Sequence, residues 1–254
     1  MKILYFTSTG NSLMIAKELG GELISIPQLI KNNEYFIKAD KIGIICPIYS
    51  FSIPAFVKKY LEKVQLKAEY IFVIGTYGDR YGGFANIVEK TFKDANNQLD
   101  YVNVIKMVDN ALHAGYEIKN QVETLPQKRV AEKLEIIKND VNNNYKMIVE
   151  PLRKERGISK VVTFLNPVIN AISGDRLLKV DDNCIKCGIC TQVCPVNNIE
   201  VKDAIIFKKH CELCLGCLHN CPSIAIHVFN EKSSERYRNK KVSLEEIIKA
   251  NSQL

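Results

Sequence analysis

Residues 2–19, KILYFTSTGNSLMIAKEL, join an apolar β-rich run to a helical pattern through a loop of hydroxyl-bearing residues. We predict a strand over residues 2–7 and a helix over Asn11–Leu19. The loop between them consists of Thr7, Ser8, Thr9, Gly10, Asn11 and Ser12. Main-chain amides at the N-terminus of a helix bind anions, and this loop has neither the lysine of a Walker A motif nor a G-x-G-x-x-G pattern. The residues therefore favour a single phosphate monoester held by neutral donors.

Beyond this stretch, short apolar runs alternate with helical patterns as far as residue 150. We predict further strands at 22–26, 41–47, 70–75 and 101–107, and further helices at 54–64, 83–95 and 127–148. Strands that alternate with helices in this way indicate βαβ units. The predicted fold class is therefore α/β, with a doubly wound, parallel, five-stranded sheet that has helices on both faces.

Two further loops follow predicted strands of this sheet. Pro47, Ile48, Tyr49, Ser50 and Phe51 come after the third strand, and Thr76, Tyr77, Gly78, Asp79, Tyr81 and Gly82 come after the fourth. Doubly wound sheets bind their ligands at the carboxyl ends of the strands. We therefore expect both loops to border the same ligand site as the phosphate loop.

Together the three loops resemble those of flavodoxins. The flavodoxin phosphate loop, Ser/Thr-x-Thr-Gly-x-Ser/Thr, is matched at residues 7–12, and residues 76–84 are similar to the flavodoxin loop G-x-G-D-x-x-x-Y/F. The resemblance covers about residues 1–150, and it implies FMN as the ligand. The chain has no tryptophan, so the candidates to contact the flavin ring are Tyr49, Phe51, Tyr77 and Tyr81.

The cysteines are distributed unevenly, with Cys46 alone and the other eight between residues 184 and 221. The eight repeat the spacing C-x2-C-x2-C-x3-C-P twice, which is typical of two-cluster ferredoxins, where the fourth cysteine of each run ligates the other cluster. We therefore predict two 4Fe–4S clusters. One would be held by Cys184, Cys187, Cys190 and Cys221, and the other by Cys211, Cys214, Cys217 and Cys194. Zinc is the alternative, but structural zinc sites use separated pairs of ligands.

These patterns divide the chain into four parts. Residues 1–150 form the flavodoxin-like domain, and 151–178 form a linker with a short docking helix near 166–172. Residues 179–230 form a small α+β ferredoxin-like domain. Residues 231–254 form a tail, and its helix begins with a capping box at Ser243 and Glu246. We expect Cys46 to be a buried structural thiol, and His210 and His219 to be exposed or to neighbour the clusters without ligating them.

Composition narrows the class of protein. The net charge of +7 is modest and the basic residues are scattered, so we predict no nucleic-acid partner. No apolar run suggests a membrane span and the first residues do not resemble a signal peptide, so we expect a cytoplasmic protein. The expected partners are redox proteins, either a ferredoxin-type donor or an acceptor enzyme, and a homodimer is left open.

The order of the two halves resembles the EFR1 family of flavodoxin–ferredoxin fusion proteins. Residues 107–110, MVDN, are similar to an M-P-D-N segment of that family, with Val108 in place of the proline. FMN exchanges one or two electrons and each cluster exchanges one, so with both on one chain we expect a protein that relays electrons between the clusters and FMN and so couples one- and two-electron chemistry. Two alternatives stay open: an FMN-dependent reductase of a small molecule that is fed through the clusters, and clusters that serve only to stabilise the fold.

Overall fold

The computed structural model describes residues 1–151 and 174–254, and its largest element is a parallel sheet. In chain order the strands are β1 (Lys2–Tyr5), β2 (Glu22–Ser25), β3 (Phe36–Lys38), β4 (Lys41–Pro47), β5 (Gln65–Lys67), β6 (Tyr70–Tyr77), β7 (Tyr101–Lys106), β8 (Met147–Ile148), β9 (Leu178–Val180), β10 (Ile199–Val201), β11 (Ile205–Phe207) and β12 (Ile226–Val228). The main sheet has the order β2-β1-β4-β6-β7-β8 with every pair parallel. This arrangement confirms the predicted α/β class.

Helices cover both faces of the sheet. In chain order the described α-helices, including two in the cysteine-rich half, are α1 (Asn11–Leu19), α2 (Ile26–Lys31), α3 (Ala55–Leu61), α4 (Phe84–Asp94), α5 (Ile118–Glu123), α6 (Val130–Asn142), α7 (Ile189–Gln192), α8 (Gly216–His219) and α9 (Leu244–Asn251). Because strand residues alternate between faces, Ile3 lies in one buried cluster and Leu4 in the other. Both clusters are apolar, as expected of a parallel sheet that is covered on both sides.

The sheet has one more strand than the five predicted. We expected a helix over 127–148, but α6 ends at Asn142, and the chain turns at Asn144, whose φ is +54°. The hydroxyl of Tyr70 donates to the carbonyl of Tyr145 at 2.6 Å and helps fix this return. Residues of β8 then pair with Tyr101 and Val102 of β7, so the end of the predicted helix is an edge strand.

The cysteine-rich half is a small α+β unit. Strand β9 pairs with β12 and β10 pairs with β11, both antiparallel, and the short helices α7 and α8 lie between them. Helix α9 has the predicted capping box, with Ser243 and Glu246 each bonding the other's main-chain N–H. Strand β9 begins within the predicted linker, whereas the predicted docking helix at 166–172 lies outside the described residues. Among the helices described, none has the length and apolar character needed to cross a membrane.

Candidate cofactor site

The phosphate loop, residues 7–12, leaves the end of β1 and enters α1. Its turn depends on Gly10, which has φ +95° and whose N–H donates to the hydroxyl of Thr7 at 2.9 Å. The hydroxyl of Ser12 lies 2.8 Å from that of Thr76 on β6. All six loop residues are buried, so the loop presents hydroxyls and amides from within the fold.

Groups from the C-terminal half hold the outer side of this loop. The main-chain carbonyls of residues 7, 8 and 9 accept from the side-chain amide of Asn251 at 2.8 Å, from that of Asn220 at 3.3 Å, and from the main-chain N–H of Asn239 at 2.8 Å. No described peptide bond is cis. Because C=O and the following N–H point in opposite directions across a planar trans peptide, the N–H groups of residues 8, 9 and 10 face away from these partners.

A chain of hydrogen bonds joins the loop to the second cysteine run. The hydroxyl of Thr9 accepts from the Asn110 side chain at 2.6 Å, so its own proton remains available to donate. The carbonyl of Asn110 lies 2.8 Å from Nε2 of His219, whose Nδ1 accepts from the N–H of Tyr237 at 3.1 Å. The bond to Nδ1 assigns the proton to Nε2, and burial lowers the pKa of His219 to about 4. His219 is thus a neutral, buried link rather than an exposed side chain.

A cavity of about 860 Å³ opens beside the phosphate loop. The loops after β4 and β6 line it, as does a third loop, after β7, which includes residues 108–111. Of the predicted site residues, the structure places on its wall Thr7, Ser8, Thr9, Asn11, Ser12, Pro47, Ile48, Tyr49, Ser50, Phe51, Thr76, Tyr77, Gly78 and Asp79. The cavity lies at the carboxyl ends of the parallel strands, where the sequence predicts it.

The loop after β4 makes a tight turn on the cavity wall. Tyr49 and Ser52 exchange two main-chain hydrogen bonds of 3.0 and 2.8 Å, and the two residues between them, Ser50 and Phe51, have φ of +46° and +65°. A positive φ is unusual for a bulky residue. Here it places the ring of Phe51 against Gly82, where an added Cβ would lie 2.6 Å from that ring. The turn can therefore form only because Gly82 has no side chain.

Three predicted residues lie off the cavity wall. Tyr81 is buried in the core, with its ring against that of Tyr77 and its hydroxyl 2.9 Å from the carbonyl of Glu150. Gly82 supports Phe51 from behind, and Gly10 shapes the turn of the phosphate loop. The structure thus places Tyr81 behind the cavity wall, with its hydroxyl directed toward the segment after β8, and a contact between Tyr81 and a flavin ring stays a prediction.

Polar groups gather near the loop after β7, among them Tyr116 and His113, which the sequence did not single out. The Tyr116 hydroxyl donates to Asp79 at 3.1 Å, and both residues line the cavity with Arg80. His113 also lines it, and its Nδ1 is buried without a hydrogen-bond partner among the described residues. The Asp109 carboxyl packs onto Gly78, where it leaves no space for a Cβ, and burial raises the pKa of that carboxyl.

The cysteines gather into two groups that draw on both runs. Burial, with the nearby thiols of Cys187, Cys184 and Cys221, raises the pKa of Cys190 to about 11. Burial, with Cys214, Cys211, Cys194 and more weakly Cys190, raises the pKa of Cys217 well above its ordinary value. Each of these sets of neighbours includes a cysteine of the other run, and ligation of two clusters by crossed sets stays a prediction. Main-chain N–H groups of Asn198 and Leu213 donate to the sulfurs of Cys194 and Cys211 at 3.2 and 3.3 Å.

The second cysteine run also forms part of the cavity wall, through residues 211–215. The carboxylate of Glu212 accepts from the N–H of Ala55 at 3.0 Å, at the start of α3. The hydroxyl of Tyr49 donates to that of Ser8 at 3.1 Å, and burial together with nearby Cys214 raises the pKa of Tyr49. The phosphate loop, the aromatic loop and the second run therefore border one site.

The remaining predicted residues lie apart from this site. Cys46 is fully buried, as predicted, and burial raises its pKa to about 12. His210 is exposed, with ring nitrogens 3.1 and 2.9 Å from the carbonyls of Lys208 and Val196. Among the described residues, no three His, Cys, Asp or Glu side chains converge on one metal ion. That finding does not bear on a 4Fe–4S cluster, since each of its cysteines ligates a different iron.

Comparison with known proteins bears on the cysteine-rich half. Residues 178–200 match the family model described as 4Fe-4S binding domain, which includes the first cysteine run. No curated protein matches the chain.

Among solved structures, the Trp repressor binding protein from Bacillus subtilis is similar at 11% identity and a TM-score of 0.29, over 41% of this chain and 82% of that one. Rubredoxin oxygen:oxidoreductase from Desulfovibrio gigas is similar at 18% identity and a TM-score of 0.32, over 53% of this chain and 36% of that one. The strand order β2-β1-β4-β6-β7, rather than these distant similarities, identifies the sheet as flavodoxin-like. The chain thus joins a flavodoxin-like α/β fold to a segment that binds a 4Fe–4S cluster.

Proposed function

We propose that this protein transfers electrons between two 4Fe–4S clusters, held by the crossed cysteine sets, and an FMN bound in the cavity. The observation that carries the proposal is the shared wall: residues 211–215 of the second cysteine run line the same cavity as the phosphate loop and the aromatic loop. A carrier of one electron and a carrier of one or two would then lie next to each other within one chain.

The residues of the cavity suit each part of FMN. The phosphate would take N–H groups of the phosphate loop other than that of Gly10, which donates to Thr7, and the hydroxyl of Thr9, whose proton is available. No acidic side chain lies in residues 7–12 to repel it. The flat ring would lie among Tyr49, Phe51 and Tyr77. The volume of about 860 Å³ lies within the range of about 300–1,000 Å³ that is usual for small-molecule sites.

The cysteine groups suit a relay in which the first run faces outward and the second faces the cavity. Cys187 is exposed and Cys184 is partly exposed, whereas Cys217 is buried and Cys214 borders the cavity. When bound, the clusters exchange single electrons and FMN exchanges one or two; the protein sets distance, potential and access. The chain contributes N–H donors to the sulfurs of Cys194 and Cys211, which tune the reduction potential.

Rapid mixing of anaerobic, fully loaded protein with a one-electron donor tests the relay. We expect cluster bleaching first and flavin bleaching second, with a flavin phase whose rate does not depend on protein concentration. A flavin phase that scales with protein concentration would contradict transfer within the chain. Iron and sulfide analysis of the same sample should give about eight of each per chain, and zinc in their place would remove the proposal.

A second candidate function is reduction of a small molecule at the flavin. The observation that favours it is the polar cluster near the loop after β7, where the Tyr116–Asp79 pair lines the cavity with His113, whose Nδ1 has no hydrogen-bond partner within residues 1–151 and 174–254. A bare electron carrier has no need of such groups. Anaerobically reduced protein should be screened against redox proteins and against small acceptors. Oxidation by a small molecule that is slowed by His113→Ala, with protein acceptors unaffected, would favour the reductase.

The order of the two halves supports membership of the EFR1 family, and the exposed first run supports redox proteins as partners. We propose a cytoplasmic location, in keeping with the sequence. Size-exclusion chromatography with light scattering would distinguish a monomer from a homodimer.

A further inference from the structure

The tail, residues 231–254, reaches back to the first loop of the chain. Helix α9 packs near α2, where Gln253 donates to the carbonyl of Pro27 at 3.1 Å. Lys241 pairs with Glu18 of α1 at 2.7 Å. The sequence predicts a helix here but nothing about its partners. These contacts place the tail directly behind the phosphate loop.

Asn251 makes the most specific of the tail contacts. Its side chain is fully buried, and its amide nitrogen donates to the carbonyl of Thr7 at 2.8 Å. Its side-chain oxygen has no hydrogen-bond partner among the described residues. Burying this unpaired oxygen costs free energy. The bond from the side-chain nitrogen to the carbonyl of Thr7 offsets that cost, and we take it as the reason that an asparagine lies here.

The other two donors complete the support of the loop. Asn220, between two predicted cluster ligands, donates to the carbonyl of Ser8 at 3.3 Å and to that of Gly216 at 2.9 Å. The main chain of Asn239 donates to the carbonyl of Thr9 at 2.8 Å. The side-chain oxygen of Asn11 accepts from the hydroxyl of Tyr237 at 2.7 Å and from Asn239 at 3.2 Å.

We propose that Asn220, Asn239 and Asn251 are positioning residues of the phosphate site. By holding three successive carbonyls they orient the N–H groups of residues 8 and 9 toward the ligand phosphate, and the N–H of Gly10 toward the Thr7 hydroxyl that closes the loop. This inference rests on the proposed binding of FMN. None of the three residues belongs to the flavodoxin-like half, so the phosphate site is completed only when the C-terminal half docks. The expected consequence is a loss of affinity that depends on the phosphate group of the ligand.

The test compares FMN with riboflavin, which has the same ring and no phosphate. Full-length protein with its clusters, freed of flavin, is titrated by calorimetry as wild type, Asn251→Ala and Gln253→Ala. We expect Asn251→Ala to weaken FMN binding about five- to tenfold and to leave riboflavin binding unchanged. Gln253→Ala, which loosens the tail without touching the loop, should leave both affinities near the wild-type values.

The outcomes separate this inference from the proposed function. Wild-type protein that binds neither flavin overturns the binding of FMN and this inference with it. Wild-type protein that binds FMN, with an Asn251→Ala variant of equal affinity or with equal losses for both flavins, overturns only the positioning role. If Asn251→Ala does not fold, Tyr237→Phe replaces it, since it removes only the hydroxyl that holds Asn11. It should weaken FMN binding about threefold and spare riboflavin, and equal losses for both flavins would again overturn the role.

Discussion

The two cysteine runs have identical spacing and different surroundings. In the first run Cys187 is exposed and the neighbouring Ile185 is 66% exposed. In the second run Cys217 is buried, and residues 211–215 form part of the cavity wall. Ligand spacing therefore specifies which metal group is bound, whereas the surroundings determine what that group can reach. The first run can meet a partner in solution, and the second can meet a ligand inside the protein.

The turn of each run shows the same difference at the level of one residue. The position after the second cysteine is left-handed in both, and it is Gly188 in the first run, with φ +76°, and Leu215 in the second, with φ +56°. A left-handed leucine costs about 1–2 kcal/mol, whereas full burial of its side chain is worth about 1.5–3 kcal/mol. Leu215 is 4% exposed, so its packing offsets the strain. We call the second run, residues 211–221, the inner run and the first, residues 184–194, the outer run. The inner run thus has a buried leucine at the position where the outer run has a glycine.

The largest effect is expected on the cluster that the inner run mainly holds. Cys194→Ala should abolish the cluster held mainly by the second run and leave that of the first run largely intact, because Cys194 lies beside Cys214 and Cys217. Electron paramagnetic resonance of the reduced protein would resolve the two. Cys46→Ala is the matched control, since it removes a buried thiol outside both groups, and both clusters should survive it. Loss confined to the first-run cluster would disprove the crossed ligation.

The second largest effect is expected at the phosphate loop, residues 7–12. Thr9→Ala removes a hydroxyl donor to the FMN phosphate, and we expect a cost of about 1.5–3 kcal/mol, which is roughly a ten- to hundredfold loss of FMN affinity. Equilibrium titration measures it, with riboflavin as the control ligand. An unchanged FMN affinity would mean that the phosphate binds elsewhere.

A smaller effect is expected where the inner run docks on α3. Glu212→Ala leaves the N–H of Ala55 without its partner, and we expect unfolding free energy to fall by about 1–3 kcal/mol. The intramolecular flavin phase should also slow, because the cavity wall loosens. Glu200→Ala is the control: its partner is the exposed Lys202, so its effect should stay within about 0.5 kcal/mol. Equal losses in denaturant titrations of the two variants would contradict the docking role.

The smallest effect is expected at the outer run. Ile185→Ser should change stability by no more than about 0.5 kcal/mol, because the side chain is largely in solvent. Reduction by a protein donor should slow by about two- to fivefold, while reduction by dithionite should not change. Ile136→Ser, on the exposed face of α6, should alter neither rate. A protein-donor rate unaffected by Ile185→Ser would place the partner elsewhere.

The sequence predicted those parts of the molecule that local chemistry determines. The bounds of α1 and β4 are as predicted, because each follows a strong local pattern: a glycine turn into an amphipathic run, and a continuous apolar strand. The end of the helix predicted at 127–148 was wrong, because pairing with β7 overrides helical spacing there. The sequence did not show that Tyr81 is buried, because an aromatic residue after a strand can face either the ligand or the core.

The contacts behind the phosphate loop had no signal in the sequence. Asn251 bonds to Thr7 across 244 positions of the chain, and a single asparagine has no pattern that reveals its partner. His219 differs, since its position inside a cysteine run suggested a neighbour of the clusters. Its bond to Asn110 depends on how the two halves dock, which spacing within one run does not encode.

The bond between Asn251 and Thr7 also bears on when the chain becomes able to take up its flavin. During synthesis the phosphate loop leaves the ribosome first, long before residue 251 is added. Until then the carbonyl of Thr7 lacks the donor that Asn251 supplies. Given the proposed binding of FMN, we expect chains that stop before residue 251 to bind FMN weakly and chains that include it to bind FMN more tightly. Uptake of the flavin would then report that residue 251 has been added and that both halves have met.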